Sequence, residues 1–129
     1  MTVADAGVLA EAAGRTDDAG RRARTVFEQR VAVPDVVFIE AYSVLRRQHL
    51  RGELTDGRFE FGMVYLRTVP AEVHPARALL PRMSDLVHSV SAYDAAYVAL
   101  AEVLGVPLLT TDARLAAAHG PRCEIRVLD

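Results

Sequence analysis

The chain has 129 residues, 51% hydrophobic and 25% charged, with a formal net charge of −2, which fits one globular domain over residues 1–129 and excludes a disordered chain. No apolar run nears the roughly 20 residues of a membrane span, and Asp5 and Glu11 stand where an export signal would need a basic start and an apolar core, so a cytoplasmic protein without membrane attachment is expected. All 15 basic residues are arginine and Cys123 is the single cysteine, which excludes P-loop and Schiff-base chemistry of the usual kind, internal disulfides and zinc sites built on several thiolates.

In chain order, Thr2-Val3-Ala4 reads as a short strand ending at Asp5, followed by a helix on Val8, Leu9, Ala12 and Ala13. Gly14 and the Thr16-Asp17-Asp18 cluster mark a stop and a new N-cap. The spacing of Ala19, Ala23, Val26 and Phe27 predicts a second, arginine-rich helix over 18–30. Val31-Ala32-Val33 is a strand, and Pro34-Asp35 is expected to restart a helix through Val36, Val37, Ile39, Glu40, Val44 and Leu45. Arg51-Gly52 ends it, and Thr55-Asp56 opens another to about Arg67. Residues 68–74 form a β-like run, and Pro75 is expected to start a helix through Leu79, Leu80, Met83, Leu86 and Val87.

Ser89 to Tyr93 breaks that helix, and Asp94 opens a strongly patterned one with Tyr93, Tyr97, Leu100 and Leu104 on one side and Gly105 as its C-cap. Val106 to Leu109 is a buried strand, Asp112 caps a short helix ending near Gly120, and Cys123 to Leu128 makes the last strand, with Cys123 buried in it. Short apolar strands alternating with helices imply an α/β domain whose central, mostly parallel sheet is flanked by helices. Ligands of such sheets bind beyond the C-terminal ends of the strands, where Asp5 and Asp112 fall. Asp94, at a helix N-terminus, can face the same edge.

Alone, Asp94 and Asp112 are helix caps and Asp5 a turn residue. Glu40 is different: it lies among Val36, Val37, Phe38, Ile39 and Val44 in a helix expected to be largely buried, and a glutamate is seldom buried without a partner. If the four meet, carboxylates about 5 Å apart repel by roughly 3 kcal/mol at an effective dielectric near 20. A divalent cation is the simplest remedy, and oxygen-only ligands select Mg²⁺ or Mn²⁺. Such ions serve phosphodiester hydrolysis. The residues themselves reach metal-dependent phosphoryl chemistry and no further.

Ser91 to Leu115, S-A-Y-D-A-A-Y-V-A-L-A-E-V-L-G-V-P-L-L-T-T-D-A-R-L, resembles the C-terminal signature of the PIN domain, specifically of the VapC-type toxins of bacterial toxin–antitoxin pairs. V-A-D-A-G-V-L at Val3 to Leu9 is similar to the family's opening strand, and P-D-V-V-F-I-E-A-Y-S-V-L-R-R at Pro34 to Arg47 to its second acidic segment. The resemblance implies an α/β/α sandwich, Mg²⁺- or Mn²⁺-dependent endoribonuclease activity on RNA, a cognate VapB-type antitoxin, and usually a homodimer, whose surface is expected on the helices around 36–67. It places the acidic quartet on Asp5, Glu40, Asp94 and Asp112. Asp5 and Asp94 are expected to hold the metal most directly, Glu40 and Asp112 to complete the site and orient the attacking water, and Thr110 to support it.

Two positions depart from the pattern. Gly7 stands where serine or threonine often follows D-A, and Ser43, which would support the site from the helix of Glu40, stands where asparagine is common. Arg46, Arg47 and Arg51 on that helix, and Arg114 beyond Asp112, can guide phosphates bidentately, or serve equally as solvated charges or antitoxin contacts. Tyr42 and Tyr65 are candidates for base stacking, whereas Tyr93 and Tyr97 have core spacing. The four histidines receive no role. Two other readings compete: a PIN-like nuclease acting on DNA, and a non-catalytic PIN scaffold that binds RNA or antitoxin.

Overall fold

The computed structural model describes residues 1–128. Five strands form one sheet: β1 (Thr2–Ala4), β2 (Val31–Pro34), β3 (Glu72–His74), β4 (Leu108–Thr110) and β5 (Ile125–Val127). Their spatial order is β3-β2-β1-β4-β5 and every pairing is parallel, so the sheet is wholly rather than mostly parallel. Val3 pairs with Ala32 on one side and Leu108 on the other. Val3, Ala4, Ala32, Val33 and Leu108 are essentially inaccessible to solvent; helices cover both faces, as parallel sheets require.

Among the described residues seven α-helices connect the strands: α1 (Ala6–Gly14), α2 (Asp18–Val26), α3 (Val37–Leu50), α4 (Asp56–Thr68), α5 (Leu80–Asp85), α6 (Ala92–Leu104) and α7 (Ala113–Ala116). Helix α6 packs on β1, β2 and β4, and α1 touches β4 and is surrounded by α2, α3 and α4. From β1 the chain first builds outward through β2 and β3, then crosses back to add β4 and β5 on the other side of β1. The order therefore reverses between β1 and β4, and the loops leaving their C-terminal ends diverge to open a crevice.

Several predicted boundaries move, each for a local reason. Pro34 ends β2 instead of starting a helix: it stands opposite His74 in the ladder, which the Asp35 N–H continues by donating to His74 O at 2.9 Å. Helix α2 stops at Val26 because residues 27–29 tighten into i→i−3 bonds, Phe27 N to Arg24 O and onward. Only Glu72–His74 of the run 68–74 is strand. After Pro75 the chain makes a 3₁₀ turn, Ala76–Leu79, before α5, because Pro81 has no N–H to carry one helix through.

Ser91, not Asp94, caps α6, its hydroxyl accepting from the Asp94 N–H at 3.3 Å. Tyr93, in the first turn, is therefore 48% exposed while Tyr97 is buried. Gly105 closes α6 at φ 66°, where a side chain would be strained. Ile39 is exposed, so the Glu40 segment is less buried than its composition suggests. Tyr65 packs edge-on against Phe27. Cys123 is half-buried and precedes β5 rather than lying within it.

Candidate active site

Asp5 leaves β1 at the reversal point and caps α1, its Oδ1 accepting from the Val8 N–H at 3.0 Å. Its Oδ2 accepts a short hydrogen bond from the Thr110 hydroxyl, at the end of the neighbouring β4. The Thr110 oxygen in turn accepts from the Asp112 N–H at 3.0 Å. One buried threonine thus ties together the two loops that line the crevice. Asp112 caps α7, accepting from the Arg114 N–H at 2.9 Å, and pairs with the Arg114 guanidinium at 3.3 Å.

Glu40 comes from the first turn of α3 and Asp94 from the first turn of α6. Glu40 Oε1 accepts from the Tyr97 hydroxyl at 2.6 Å. Tyr97 lies one turn beyond Asp94 on α6, so this bond joins two of the acid-bearing helices across the core. Sequence spacing identified Tyr97 as a core residue and missed its hydroxyl; the available signal was that a buried tyrosine O–H requires a partner. The S-x-x-D spacing of Ser91 and Asp94 was likewise a readable N-terminal signature.

The carboxyls sense one another. Burial raises Asp5 from 3.8 to about 6; its hydrogen bonds to Thr110 and Val8 oppose this, and the charges of Asp94 and Glu40 add to it. Glu40 is raised by burial, with the Tyr97 bond opposing and Asp94 adding. Asp94 is raised by burial and by Asp112, against its Ser91 bond and the charge of Arg114. Asp112 alone is lowered, by the N–H and guanidinium of Arg114. Asp94 is thus the hub, coupled to each of the other three acids.

The acids share one edge but do not form a ready-made cage: among the described residues, no three His, Cys, Asp or Glu side chains are gathered closely enough to hold an ion. Asp112 is drawn toward Arg114 and Glu40 toward Tyr97. The donor set still suits a hard divalent cation, since it is made of carboxylate oxygens, two of them raised by burial and by neighbouring acids. Ser43, Arg46 and Arg47 are exposed on α3, the two arginines about 10 Å along the axis from Glu40. Arg114 is 93% exposed at the rim beside Asp112.

This geometry has close relatives. The PIN domain family model matches residues 2–120. Ribonuclease VapC12 of Mycobacterium tuberculosis is 32% identical over 128 residues, 99% of each chain. Ribonuclease VapC1 of the same organism is 39% identical over 99 residues, 74% of this chain and 72% of its own. Among solved structures, Mycobacterium tuberculosis VapC20, described as a sarcin-ricin loop cleaving toxin, superposes with a TM-score of 0.68 at 15% identity, covering 91% of this chain and 94% of that one. PAE2754 from Pyrobaculum aerophilum gives 0.64 at 23% identity, covering 90% and 84%.

The chain belongs to the PIN domain family. Its end-to-end correspondence with VapC12 puts it among the VapC-type members.

Proposed function

We propose that this chain is a divalent-metal-dependent endoribonuclease, the toxin of a VapBC-type pair, cutting RNA phosphodiester bonds at the C-terminal edge of its sheet. The observation that carries this reading is Asp5: a buried carboxyl at the point of strand reversal, raised to about 6 and facing Asp94 and Glu40, with no cationic side chain among the influences on it. A carboxyl so placed has both oxygens hydrogen-bonded but no countercharge from the protein, and suits a bound cation. The ribonuclease names of the VapC12 and VapC1 relatives support the same chemistry.

In this reading Asp5 and Asp94 hold Mg²⁺ or Mn²⁺, with Glu40 and Asp112 completing the site. When bound, the ion supplies an activated water and neutralises charge on the phosphate. The chain's own residues set the stage for it. Thr110 fixes the rotamer of Asp5, Tyr97 that of Glu40, and the Ser91 cap presents Asp94 from the first turn of α6. Arg114, exposed at the rim, meets a phosphate oxygen, and Arg46 and Arg47 draw the strand toward the edge. The bases to be read are single-stranded or looped, where their edges are accessible.

A VapB-type antitoxin is the expected partner, blocking this edge. A homodimer belongs to the same reading, supported by exposed Ile39 and Tyr42 on α3 and Phe61 and Val64 on α4; sedimentation of the purified chain tests it. Among the described residues no helix is long and apolar enough to cross a membrane. For the activity, protein freed of antitoxin is incubated with RNA or DNA, with Mg²⁺ or with EDTA. Cutting of RNA alone, and only with Mg²⁺, is the expected result. Cutting of DNA favours the DNA nuclease, and no metal-dependent cutting of either favours a binding scaffold.

A further inference from the structure

Gly7 sits in the first turn of α1, two residues after Asp5. A Cβ placed on it would collide with the hydroxyl oxygen of Thr111 and stand 3.3 Å from Asp5 Oδ1. The Thr111 hydroxyl therefore occupies the space that a side chain at position 7 would need. It does so beside Oδ1, whereas the Thr110 hydroxyl binds Oδ2. Of the two neighbouring threonines, one thus bonds the Asp5 carboxyl and the other fills the space over Gly7 next to it.

The two hydroxyls differ in commitment. That of Thr110 is fully buried, donating to Asp5 and accepting from the Asp112 N–H. Thr111 is half-buried in the turn before α7, and its hydroxyl has no hydrogen-bond partner among the described residues. With Gly7, Ala10, Glu11, Arg15, Val44 and Gln48 it lines a cavity of about 190 Å³ between α1 and α3, next to the acids though none of the four lines it. Liquid water takes roughly 30 Å³ per molecule, and a polar-walled space of this size holds several.

We propose that Thr111 is a positioning residue of the acidic site: its hydroxyl holds a water of the ion's hydration shell against Asp5, and Gly7 is the position kept bare to admit it. This rests on the metal-dependent reading above and adds a residue to it. Hard divalent ions, Mg²⁺ above all, keep much of their water when proteins bind them, so a neutral hydroxyl beside a carboxylate acts on the water rather than on the ion. Outer contacts of this kind are typically worth about 10- to 100-fold in metal affinity or activity.

The test measures Mn²⁺ affinity of the purified chain by calorimetry and cleavage of total bacterial RNA, with thermal melts to verify folding. Thr111→Val, which keeps the shape and removes the hydroxyl, is expected to weaken Mn²⁺ binding by about tenfold and slow cleavage by a similar factor. Thr111→Ser, which keeps the hydroxyl, is expected to recover most of that loss. Gly7→Ser alone collides with Thr111 and lowers both readouts. Combined with Thr111→Ala it returns a hydroxyl to the same space and should exceed Thr111→Ala alone in Mn²⁺ affinity. If Thr111→Val binds Mn²⁺ and cleaves as the wild type does, or if the double variant gains nothing over Thr111→Ala, this inference is overturned while the metal-dependent reading stands. If the wild type itself binds no Mn²⁺, both fall together.

Discussion

Helix α6 carries one acid near each end, Asp94 in its first turn and Glu102 in its last, about 12 Å apart along the axis. Both are half-buried, and they are treated in opposite ways. Glu102, at the N-terminal edge of the sheet, receives Arg82 through Nε at 2.7 Å and Nη2 at 3.2 Å, and the Arg122 N–H at 2.7 Å. Its burial is more than offset by these contacts, and it stays below the usual carboxylate range. Asp94 is raised by burial and by Asp112, and its own charge raises Asp5 and Glu40. One edge of the molecule pairs its buried acid with arginine; at the other, three of the four acids stand above their ordinary values. The lesson is that burial alone does not mark a site, because both acids are buried. The direction of the net shift is what separates these two acids.

The contrast breaks most visibly at Asp94. Asp94→Asn keeps the volume and removes the hub charge, so RNA cleavage should fall on the order of a thousandfold, several kcal/mol of lost ion and transition-state stabilisation. Growth inhibition on expression should vanish with it while antitoxin binding persists. Retained toxicity would contradict the role given to Asp94. Glu102→Gln, at the satisfied end of the same helix, should leave the cleavage rate within about twofold, the change expected of a site that contacts no substrate.

Asp5 sharpens the comparison through stability. Its carboxyl is raised in the folded chain from 3.8 to about 6, so between those values the folded state holds a proton that the unfolded state has lost. The associated stabilisation is present below about pH 4 and is lost as pH rises through about 6. At pH 7 the ionised Asp5 therefore costs the metal-free protein about 2–3 kcal/mol. Asp5→Asn, which can still cap α1, should raise the melting temperature at pH 7 in EDTA, with the advantage fading toward pH 4. It should also abolish the proposed metal-dependent cleavage. A variant no more stable than wild type at neutral pH would show that the acidic edge carries no such penalty. Glu102 has the reverse sign: its contribution is present above its ordinary value and is lost as pH falls through its depressed one.

The positions of Asp5, Asp94 and Asp112 near element ends were legible in the sequence because local chemistry writes those boundaries clearly. V-A-D marks the end of a strand, and T-T-D ends on a helix cap. The long apolar pattern from Ala95 to Leu104, closed by Gly105, fixes α6 and with it Asp94. What could not be read is what depends on distant partners. The prolines misled because their missing N–H excludes them from helix interiors and equally suits the end of a strand, and only the pairing of Pro34 with His74 decides. Ile39 looked buried because composition cannot say which side of α3 meets α1 and α4. The links from Thr110 to Asp5, Tyr97 to Glu40 and Thr111 to the space at Gly7 span 105, 57 and 104 residues. No periodicity encodes such contacts.

At the satisfied edge, Arg82→Ala removes the partner of a poorly exposed Glu102 and the donor to Gly120 O at 3.0 Å. A loss of about 2 kcal/mol is expected, between the values for surface and fully buried pairs. Chemical denaturation measures it, and cleavage should be unaffected. A change below about 0.5 kcal/mol would place the pair with ordinary surface ion pairs and weaken the contrast between the edges.

Tyr97→Phe has a small effect on stability, and it is the most discriminating. The ring stays in the core, so the packing is unchanged and only the hydrogen bond to Glu40 is lost. Glu40 is half-exposed and recovers part of that bond from water, leaving a stability loss of about 1 kcal/mol. The effect on chemistry follows from the sign of the bond. The Tyr97 hydroxyl favours the ionised form of Glu40 against burial and Asp94. Without it Glu40 holds its proton to higher pH, so the acidic limb of the pH–rate profile should move upward while the plateau falls by less than about tenfold. If the profile does not move, Tyr97 is a core residue and nothing more, as its spacing alone suggests. If it moves, the hydroxyl is what separates a glutamate held ready at the acidic edge from one merely tolerated there.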